Sequence, residues 1–235
     1  MITNSFRGDL QHIQSMLRER IPFSLSRYGD SEMMILDNTP VNTLFKGGIN
    51  FQRQAHLRTA LKESLTHNQK NYFVGVVCPC CVGEKKSFAM KQATSLDDSK
   101  LTWANLFVNA NFSYFQKSIV SEFSAYNITM VSPGDVSNLP LLVDYHYSIG
   151  SDAWIHNEDV CDKLIDQLEE EEGHHLVLLS AGPFANILCH RLFSRFPHNT
   201  IIDIGSVFNV ELGMGANRRY LRGEDTLRKV CRWYR

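Results

Sequence analysis

The sequence predicts an α/β protein in which a mostly parallel sheet is flanked by helices. Three consecutive segments in the last third of the chain support this most clearly. Residues 174–180, HHLVLLS, and residues 200–205, TIIDIG, have the apolar and β-branched pattern of buried strands. Between them, residues 181–196 begin with a small-residue loop that places Pro at a helix start. A strand, a helix and a strand in close order are typical of a parallel βαβ unit.

Further helices are predicted where apolar residues recur at helical spacing. This pattern covers residues 8–20, 51–67 and 113–125. A fourth such pattern follows Asn157, and we expect Asn157 to be the N-cap of that helix. These helices alternate with the predicted strands, as an α/β fold requires.

Three other segments are predicted as strands, and the clearest of them, residues 71–78, is rich in β-branched and aromatic residues. They cover residues 22–26, 71–78 and 127–135, and the last one stops at a Pro-Gly turn. Residues 27–32, RYGDSE, are expected to form a loop after the first strand. The polar residues 82–101 are expected to form a loop or a short helix.

Length and composition favour one globular domain over residues 1–235, with a C-terminal tail from residue 213. A chain of 235 residues that is 43% hydrophobic and 21% charged has ordinary globular composition. The net charge of -1 argues against a nucleic-acid partner. No apolar run approaches the roughly eighteen residues of a membrane span, and no signal peptide is evident. The six cysteines are therefore expected to be free thiols in the cytoplasm.

The first candidate site is the segment that contains Arg27, Gly29, Asp30 and Glu32. Two carboxylates separated by one residue suit a hard cation such as Mg²⁺ or Mn²⁺. Arg27 offers a guanidinium for phosphate, and Gly29 allows a close approach of the backbone. The spacing alone is also compatible with a solvated polar turn.

The second candidate site is the loop formed by Ser180, Ala181, Gly182 and Pro183. A strand that passes through small residues into a helix presents backbone N–H groups and a positive dipole end to an anion. Ligands of open α/β sheets collect at the carboxyl ends of the strands. The loop matches neither standard glycine-rich phosphate motif, and a tight connection between strand and helix is the alternative.

The third candidate site follows the last predicted strand. Asp203 lies near the end of that strand, where it is expected to bind a sugar, orient the site or cap the next turn. Ser206, Asn209 and Glu211 are further polar candidates, and each of them also suits a structural role.

Two other features leave alternatives open. The CPCC segment, residues 78–81, suits zinc or thiol chemistry poorly because no second cysteine pair matches it, so buried apolar cysteines are favoured. Residues 218–235 are rich in arginine and suit contact with phosphate, an anionic acceptor or a membrane surface. A solvated tail is the simpler interpretation.

Several segments in the same order resemble the GT-D glycosyltransferases, the group first described as domain of unknown function 1792. That family carries an R-[FY]-G-D-G-E segment, then S-x-G-P before a helix, then D-I-G-H at a strand end. The resemblance covers about residues 20–212. The segments are SLSRYGDSE, FQRQAHLRTALKESL, NYFVGVVCPC, ITMVSPGD, LVLLSAGPFANILCHRL and IIDIGSVFNVE.

The resemblance implies a Rossmann-like GT-D fold and a metal-dependent transfer of a sugar, of the hexosyltransferase class. The donor is implied to be a UDP-sugar, the acceptor a glycan or glycoprotein, and the cofactor Mn²⁺ or Mg²⁺. Asp30 and Glu32 correspond to the metal and donor site, and Asp203 is a further catalytic candidate. The implied donor-binding residues are Arg27, Gly29, Ser180, Gly182, Pro183 and Ser206.

The sequence also departs from the family pattern. Ser31 replaces the usual glycine, which is a mild change, and Ser206 replaces the usual histidine, which removes an acid, base or ligand there. The tail matches no part of the pattern and leaves the acceptor open.

Elementary chemistry is consistent with sugar transfer but leaves the proton acceptor open. A departing diphosphate needs its charge stabilised, which a cation and a helix N-terminus provide. An inverting transfer also needs a general base, for which Asp203, Asp135 and Glu211 are candidates. The alternatives are a metal-dependent phosphoesterase and a non-catalytic module that binds an anionic ligand through the basic tail.

Overall fold

A computed structural model describes residues 5–38, 55–150 and 152–223. The strands form one sheet of seven, all parallel, in the order β3-β2-β1-β7-β6-β4-β5. The predicted α/β class with a parallel sheet is therefore confirmed. The strands are β1 (Ser24–Arg27), β2 (Tyr72–Val76), β3 (Leu101–Trp103), β4 (Asn127–Ser132), β5 (Tyr145–Ser148), β6 (His175–Leu179) and β7 (Thr200–Asp203).

Helices connect most of the strands, and a 3₁₀ turn, Val136–Asn138, lies between β4 and β5. The predicted segment 113–125 continues from α6 as a π-helical turn, Phe115–Ile119, and a 3₁₀ segment, Val120–Ala125. None of the helices in the described ranges is both long and apolar enough to cross a bilayer. The α-helices are α1 (Phe6–Arg18), α2 (Asp30–Leu36), α3 (Ala55–Thr66), α4 (Pro79–Val82), α5 (Glu84–Thr94), α6 (Phe112–Tyr114), α7 (Ala153–His156), α8 (Asp159–Glu170) and α9 (Pro183–Arg195).

Both faces of the sheet are buried, so its strands alternate between two apolar cores. In β6, Leu176 and Leu178 pack on the core that contains α1 and the helical turns after α6. Val177 and Leu179 pack on the opposite core, with α3, α8 and α9. A sheet covered on both faces explains why the strands read as continuous apolar runs.

Two short strands, β3 and β5, and the short helices α2, α4 and α7 escaped the sequence patterns. β3 has three residues, and β5, YHYS, is the partly exposed edge of the sheet, so neither has a long apolar run. Residues 27–32 are not all loop, because Arg27 is the last residue of β1 and α2 begins at Asp30. Glu32 accepts a hydrogen bond from the Gly29 N–H at 2.8 Å, which caps the first turn.

Asn157 does not cap the helix that follows it. α8 begins at Asp159 with Glu158 as its N-cap, and Asn157 instead ends α7. Its Oδ1 accepts a hydrogen bond from the Gly150 N–H at 3.2 Å. Other expectations lie partly outside the described residues, namely the first four residues of the helix 51–67 and residues 224–235 of the basic tail.

Asn186 joins α9 to the central strand β1. Its Nδ2 donates to Ser26 Oγ at 2.9 Å and to the Arg27 carbonyl oxygen at 3.0 Å, and its side chain is fully buried. The Asn186 carbonyl oxygen accepts from Ser64 Oγ of α3 at 2.6 Å. This network sets the position of Arg27, the last residue of β1.

Candidate functional site

The candidate residues meet at the carboxyl edge of the sheet. β1 ends at Arg27 and β7 at Asp203, and the two strands are neighbours. β6 lies beside β7, with Leu179 opposite Asp203, so Ser180 follows at the same edge. From β1 the chain runs outward to β2 and β3, whereas β7 lies on the other side of β1. Such a reversal is where open α/β sheets bind ligands.

Arg27 and Asp203 form a buried pair at the centre of this edge. The Arg27 Nε donates to the Asp203 carbonyl oxygen at 2.6 Å, and Nη2 lies 3.4 Å from Asp203 Oδ1. The Arg27 backbone N–H also donates to Asp203 Oδ2 at 3.3 Å. The shorter contact is to the main chain, so the guanidinium is held mainly by backbone and supported by the carboxylate.

The loop after β3 completes the surroundings of Arg27. Nη1 donates to the Ala104 carbonyl oxygen at 3.0 Å, and the guanidinium lies over the Phe107 ring, 5.3 Å from its centroid. Three of the five guanidinium N–H groups are therefore used by protein oxygens. This arrangement gives Arg27 a role in positioning the ends of β7 and β3, and the predicted contact with phosphate stays a prediction.

Gly205 allows the turn that brings Asp203 to Arg27. Its φ is +57°, and its N–H donates to Asp203 Oδ1 at 2.9 Å. A Cβ at this position would collide with Nη2 of Arg27. A side chain is therefore excluded both by the backbone conformation and by the guanidinium. The glycine of the D-I-G motif indicates a position that excludes a side chain. The sequence does not show that the guanidinium of Arg27 occupies the place of that side chain.

The structure places Asp30 and Glu32 in the first turn of α2. Asp30 is exposed, whereas Glu32 is buried and turns back to the Gly29 N–H. Residues two apart on a helix do not face each other. Within the described ranges, neither carboxylate belongs to a group of three side chains arranged to hold a metal ion. The shared metal site of Asp30 and Glu32 remains a prediction.

The Glu32 carboxyl has an unusual affinity for protons. Its pKa is raised to about 7, mainly by burial and also by the nearby Asp203, while the Gly29 N–H and Arg27 partly offset this. Burial likewise raises the pKa of Asp203, against the lowering effect of Arg27. Two carboxyls and one guanidinium thus share a poorly solvated volume, as is common at functional sites.

Ser180, Gly182 and Pro183 form the entry to α9, as the sequence predicts. Ser180 is buried, and its N–H donates to the Val131 carbonyl oxygen of β4 at 2.8 Å. Gly182 has φ +55° and is the N-cap, and Pro183 starts the helix. α9 has 13 residues, so its N-terminus carries a full dipole at the carboxyl edge.

The polar residues after β7 differ in how strongly they are engaged. Ser206 Oγ lies 2.7 Å from the Tyr220 hydroxyl, which ties the start of the basic tail to this edge. Asn209 Nδ2 donates to Asn217 Oδ1 at 3.1 Å. Glu211 is half-buried, and its Oε2 is fully buried without a hydrogen-bond partner among the described residues. Glu211 is therefore the least engaged of the three.

The CPCC cysteines do not behave as buried apolar side chains. Cys78 is buried, but Cys80 and Cys81 are exposed because Pro79 begins α4 directly after Cys78 and turns the chain outward. The favoured expectation, buried apolar cysteines, is thus right only for Cys78.

A shallow surface depression lies away from these residues, between β5 and α8.

Comparison with known proteins supports the fold. No family model and no curated protein matches the chain. A solved structure of domain of unknown function 1792, described as a distinct glycosyltransferase fold, superposes with a TM-score of 0.57 at 14% identity. The match covers 84% of this chain and 77% of that chain. This chain has the GT-D fold.

A second solved structure agrees. It is a new glycosyltransferase of domain of unknown function 1792 from Streptococcus sanguinis, with a TM-score of 0.55 and 16% identity. The match covers 89% of this chain and 85% of that chain. In the GT-D fold of this chain, Arg27, Asp203 and the N-terminus of α9 come together at one edge. The fold predicted from the resemblance is confirmed, and the roles of the site residues remain to be tested.

Gly205→Ala is expected to destabilise the protein through the collision with Arg27. Gly213→Ala is the matched control, because Gly213 also has positive φ, +74°, but a Cβ there would meet no atom of the described residues within 4 Å. Both variants bear the backbone strain of about 1–3 kcal/mol, so only the collision distinguishes them. Urea denaturation should show a greater loss of unfolding free energy for Gly205→Ala. Equal losses would show that the Arg27 guanidinium moves away from the added methyl group without lowering the free energy of unfolding.

Glu32→Gln is expected to change how stability depends on pH. Because the folded-state pKa lies above the ordinary 4.5, the contribution of Glu32 is fully present below pH 4.5 and is lost as pH rises through about 7. Glutamine does not ionise and still offers an oxygen to the Gly29 N–H. Above about pH 7 the variant should therefore be more stable than wild type, by up to about 3 kcal/mol.

Urea denaturation over a series of pH values tests this expectation. The exposed Asp37 lies at the other end of α2, and Asp37→Asn serves as the control for removing a solvated carboxylate from the same helix. A Glu32→Gln protein less stable than wild type at high pH would show that the ionised carboxylate stabilises the fold instead.

Proposed function

We propose that this protein is a cytoplasmic, metal-dependent glycosyltransferase that moves a hexose from a UDP-sugar to a glycan or glycoprotein. The observation that carries the proposal is the buried group of Arg27, Asp203 and Glu32 at the carboxyl edge of a GT-D fold. Two solved structures with this fold are described as having a glycosyltransferase fold or as a glycosyltransferase. The UDP donor, the hexose, the acceptor and the compartment are supported by the sequence alone.

Asp30 and Glu32 are the proposed ligands of Mn²⁺ or Mg²⁺. Their oxygen atoms suit these hard cations, which bind proteins through one or two carboxylates and complete their shell with phosphate and water. Asp30 fits this use because it is exposed at the edge, and Glu32 lies beside the other buried charges. A bound cation would offset the charge that develops on the departing diphosphate.

The N-terminus of α9 is the proposed partner of the diphosphate. Gly182 and Pro183 open the helix without a bulky side chain. Pro183 has no N–H and the Ala185 N–H donates to the Gly182 carbonyl oxygen at 2.9 Å, so the helix offers an anion its dipole and the Phe184 N–H. Ser180 lies directly before this turn. Arg27 and Asp203 hold the ends of β1 and β7 in place beside it, which orients the donor without requiring either side chain to move.

Glu211 is the proposed acceptor of the proton from the acceptor hydroxyl. Asp203 is engaged by Arg27 and Gly205, and both oxygens of Asp135 accept hydrogen bonds from Ser137. The Asp135 N–H donates to the Leu212 carbonyl oxygen at 3.3 Å, which places Glu211 beside the loop after β4. Its buried Oε2 has no hydrogen-bond partner within residues 5–38, 55–150 and 152–223, so among these carboxylates we assign the proton to Glu211.

UDP is expected to stabilise the protein thermally, and more strongly when Mn²⁺ is present. At a hundredfold excess over Kd, binding contributes about 2.7 kcal/mol, which raises Tm by about 5–10 °C for a chain of this size. Asp30→Ala should remove the part that depends on Mn²⁺, whereas the exposed Asp37→Ala should keep it. No shift with UDP contradicts the donor, and a shift independent of Mn²⁺ contradicts the metal.

Glu211→Gln is expected to abolish sugar transfer while leaving UDP binding unchanged. The amide keeps the size of the side chain but cannot accept the proton, so transfer should fall by about 100-fold or more. Asp135→Asn is the control and should retain transfer, because the amide oxygen can still cap its turn. Normal transfer by Glu211→Gln would remove Glu211 from the reaction. Hydrolysis of a phosphate ester without transfer would favour a phosphoesterase.

A further inference from the structure

Three thiols gather just beyond the end of β2, apart from the residues assigned above. We call Cys78, Cys80 and Cys81 the thiol cluster. Their sulfur atoms all lie within 4.8 Å of one another, and the Cys78 and Cys80 sulfurs are 2.9 Å apart. In the described part of the chain, this is the one group of three cysteine, histidine or acidic side chains arranged to hold a metal ion.

The thiol cluster results from a single tight turn. β2 ends at Val76, and Pro79 starts the four-residue helix α4. The N–H groups of Cys81 and Val82 then donate back to the Cys78 carbonyl oxygen at 3.1 and 3.3 Å. This turn folds the two exposed thiols over the buried one. From their spacing in the sequence, the adjacent cysteines form a poor half-site for a metal, because spacing does not show that the chain turns back on Cys78.

Asn105 adds a hydrogen-bond donor to the sulfurs. Its Nδ2 lies 3.3 Å from the Cys78 sulfur and 3.8 Å from the Cys81 sulfur. A donor aimed at sulfur favours the thiolate, which is the form that binds metals. Asn105 follows Ala104, whose carbonyl oxygen accepts from Arg27. The same short segment thus serves the thiol cluster and the buried pair at the sheet edge.

We propose that the thiol cluster binds one Zn²⁺ ion. Zn–S bonds of about 2.3 Å in tetrahedral geometry place sulfur atoms about 3.8 Å apart, inside the 4.8 Å that encloses all three sulfurs. The Cys78 and Cys80 sulfurs, 2.9 Å apart, would separate by about 0.9 Å when the ion binds. Each thiol that binds releases its proton to the solvent. Three cysteines leave the fourth position open to water, and the exposure of Cys80 and Cys81 gives the ion access from the surface.

A disulfide between Cys78 and Cys80 is the competing use of the same atoms. It would join two sulfurs, would need an oxidant to remove two electrons and two protons, and would use only two of the three converging thiols. Three converging sulfurs served by one amide fit a soft metal ion better. The disulfide is therefore treated as an outcome of the test.

Co²⁺ titration of the full chain, stripped of metal and reduced with a phosphine, tests the proposal. One equivalent should produce sulfur-to-cobalt charge-transfer absorption in the near ultraviolet and the visible bands of tetrahedral cobalt, and Zn²⁺ should bleach both. Cys80→Ser and Cys81→Ser should each weaken the affinity by at least about tenfold. Both positions are exposed, so these variants are expected to fold.

Two control variants establish whether the cobalt spectrum comes from the thiol cluster. Cys161→Ala, in the buried face of α8, removes a thiol outside the cluster and should leave the cobalt spectrum unchanged. Asp30→Ala should also leave it unchanged, because the proposed Mn²⁺ site is separate. Absence of the charge-transfer band would overturn the proposal, as would wild-type affinity in both Cys80→Ser and Cys81→Ser. A protein that is two hydrogens lighter by mass before reduction, and that takes up no metal after reduction, would assign the thiols to a disulfide instead.

Discussion

The buried pair of Arg27 and Asp203 is the interaction on which the site depends. It joins the carboxyl ends of β1 and β7, which are neighbours in the middle of the sheet. These two are the first and the last strand along the chain. Removing one member of a buried ion pair costs about 3–5 kcal/mol because the other charge is left uncompensated. Two neighbours complete the pair. Gly205 leaves room for the Arg27 guanidinium, and the Ala104 carbonyl oxygen accepts a hydrogen bond from it.

The same pair sets the electrostatics around it. Asp203 and Arg27 act with opposite signs on Glu32, and burial exceeds both, so this carboxyl titrates near neutral pH. An acidic side chain in the first turn of a helix normally gains from the helix dipole. Here its desolvation outweighs that gain. A cation or a phosphate brought to the exposed Asp30 would arrive at an edge whose buried charges are already fixed.

Two chemically different sites share one short stretch of chain. Ala104 supports Arg27 through its carbonyl oxygen, and the next residue, Asn105, donates to the sulfurs of the thiol cluster. Carboxylate oxygens suit hard cations and thiolates suit softer ones, so the proposed Asp30 and Glu32 site and the proposed thiol-cluster site would select different metals. Their closeness follows from the parallel sheet, which brings the ends of β1, β2 and β3 to one edge.

The sequence by itself determined the fold class and most of the strands and helices, because buried parallel strands are apolar runs and their helices are periodic. It also placed Arg27, Asp203 and the Ser180–Pro183 loop correctly at strand ends. Only the tertiary structure decided which groups meet. β3 and β5 exist through pairing with β2 and β4, the collision at Gly205 involves a side chain from another strand, and the cysteines converge through one turn. Such contacts join residues far apart in the chain or depend on the local turn geometry, and neither periodicity nor spacing records them.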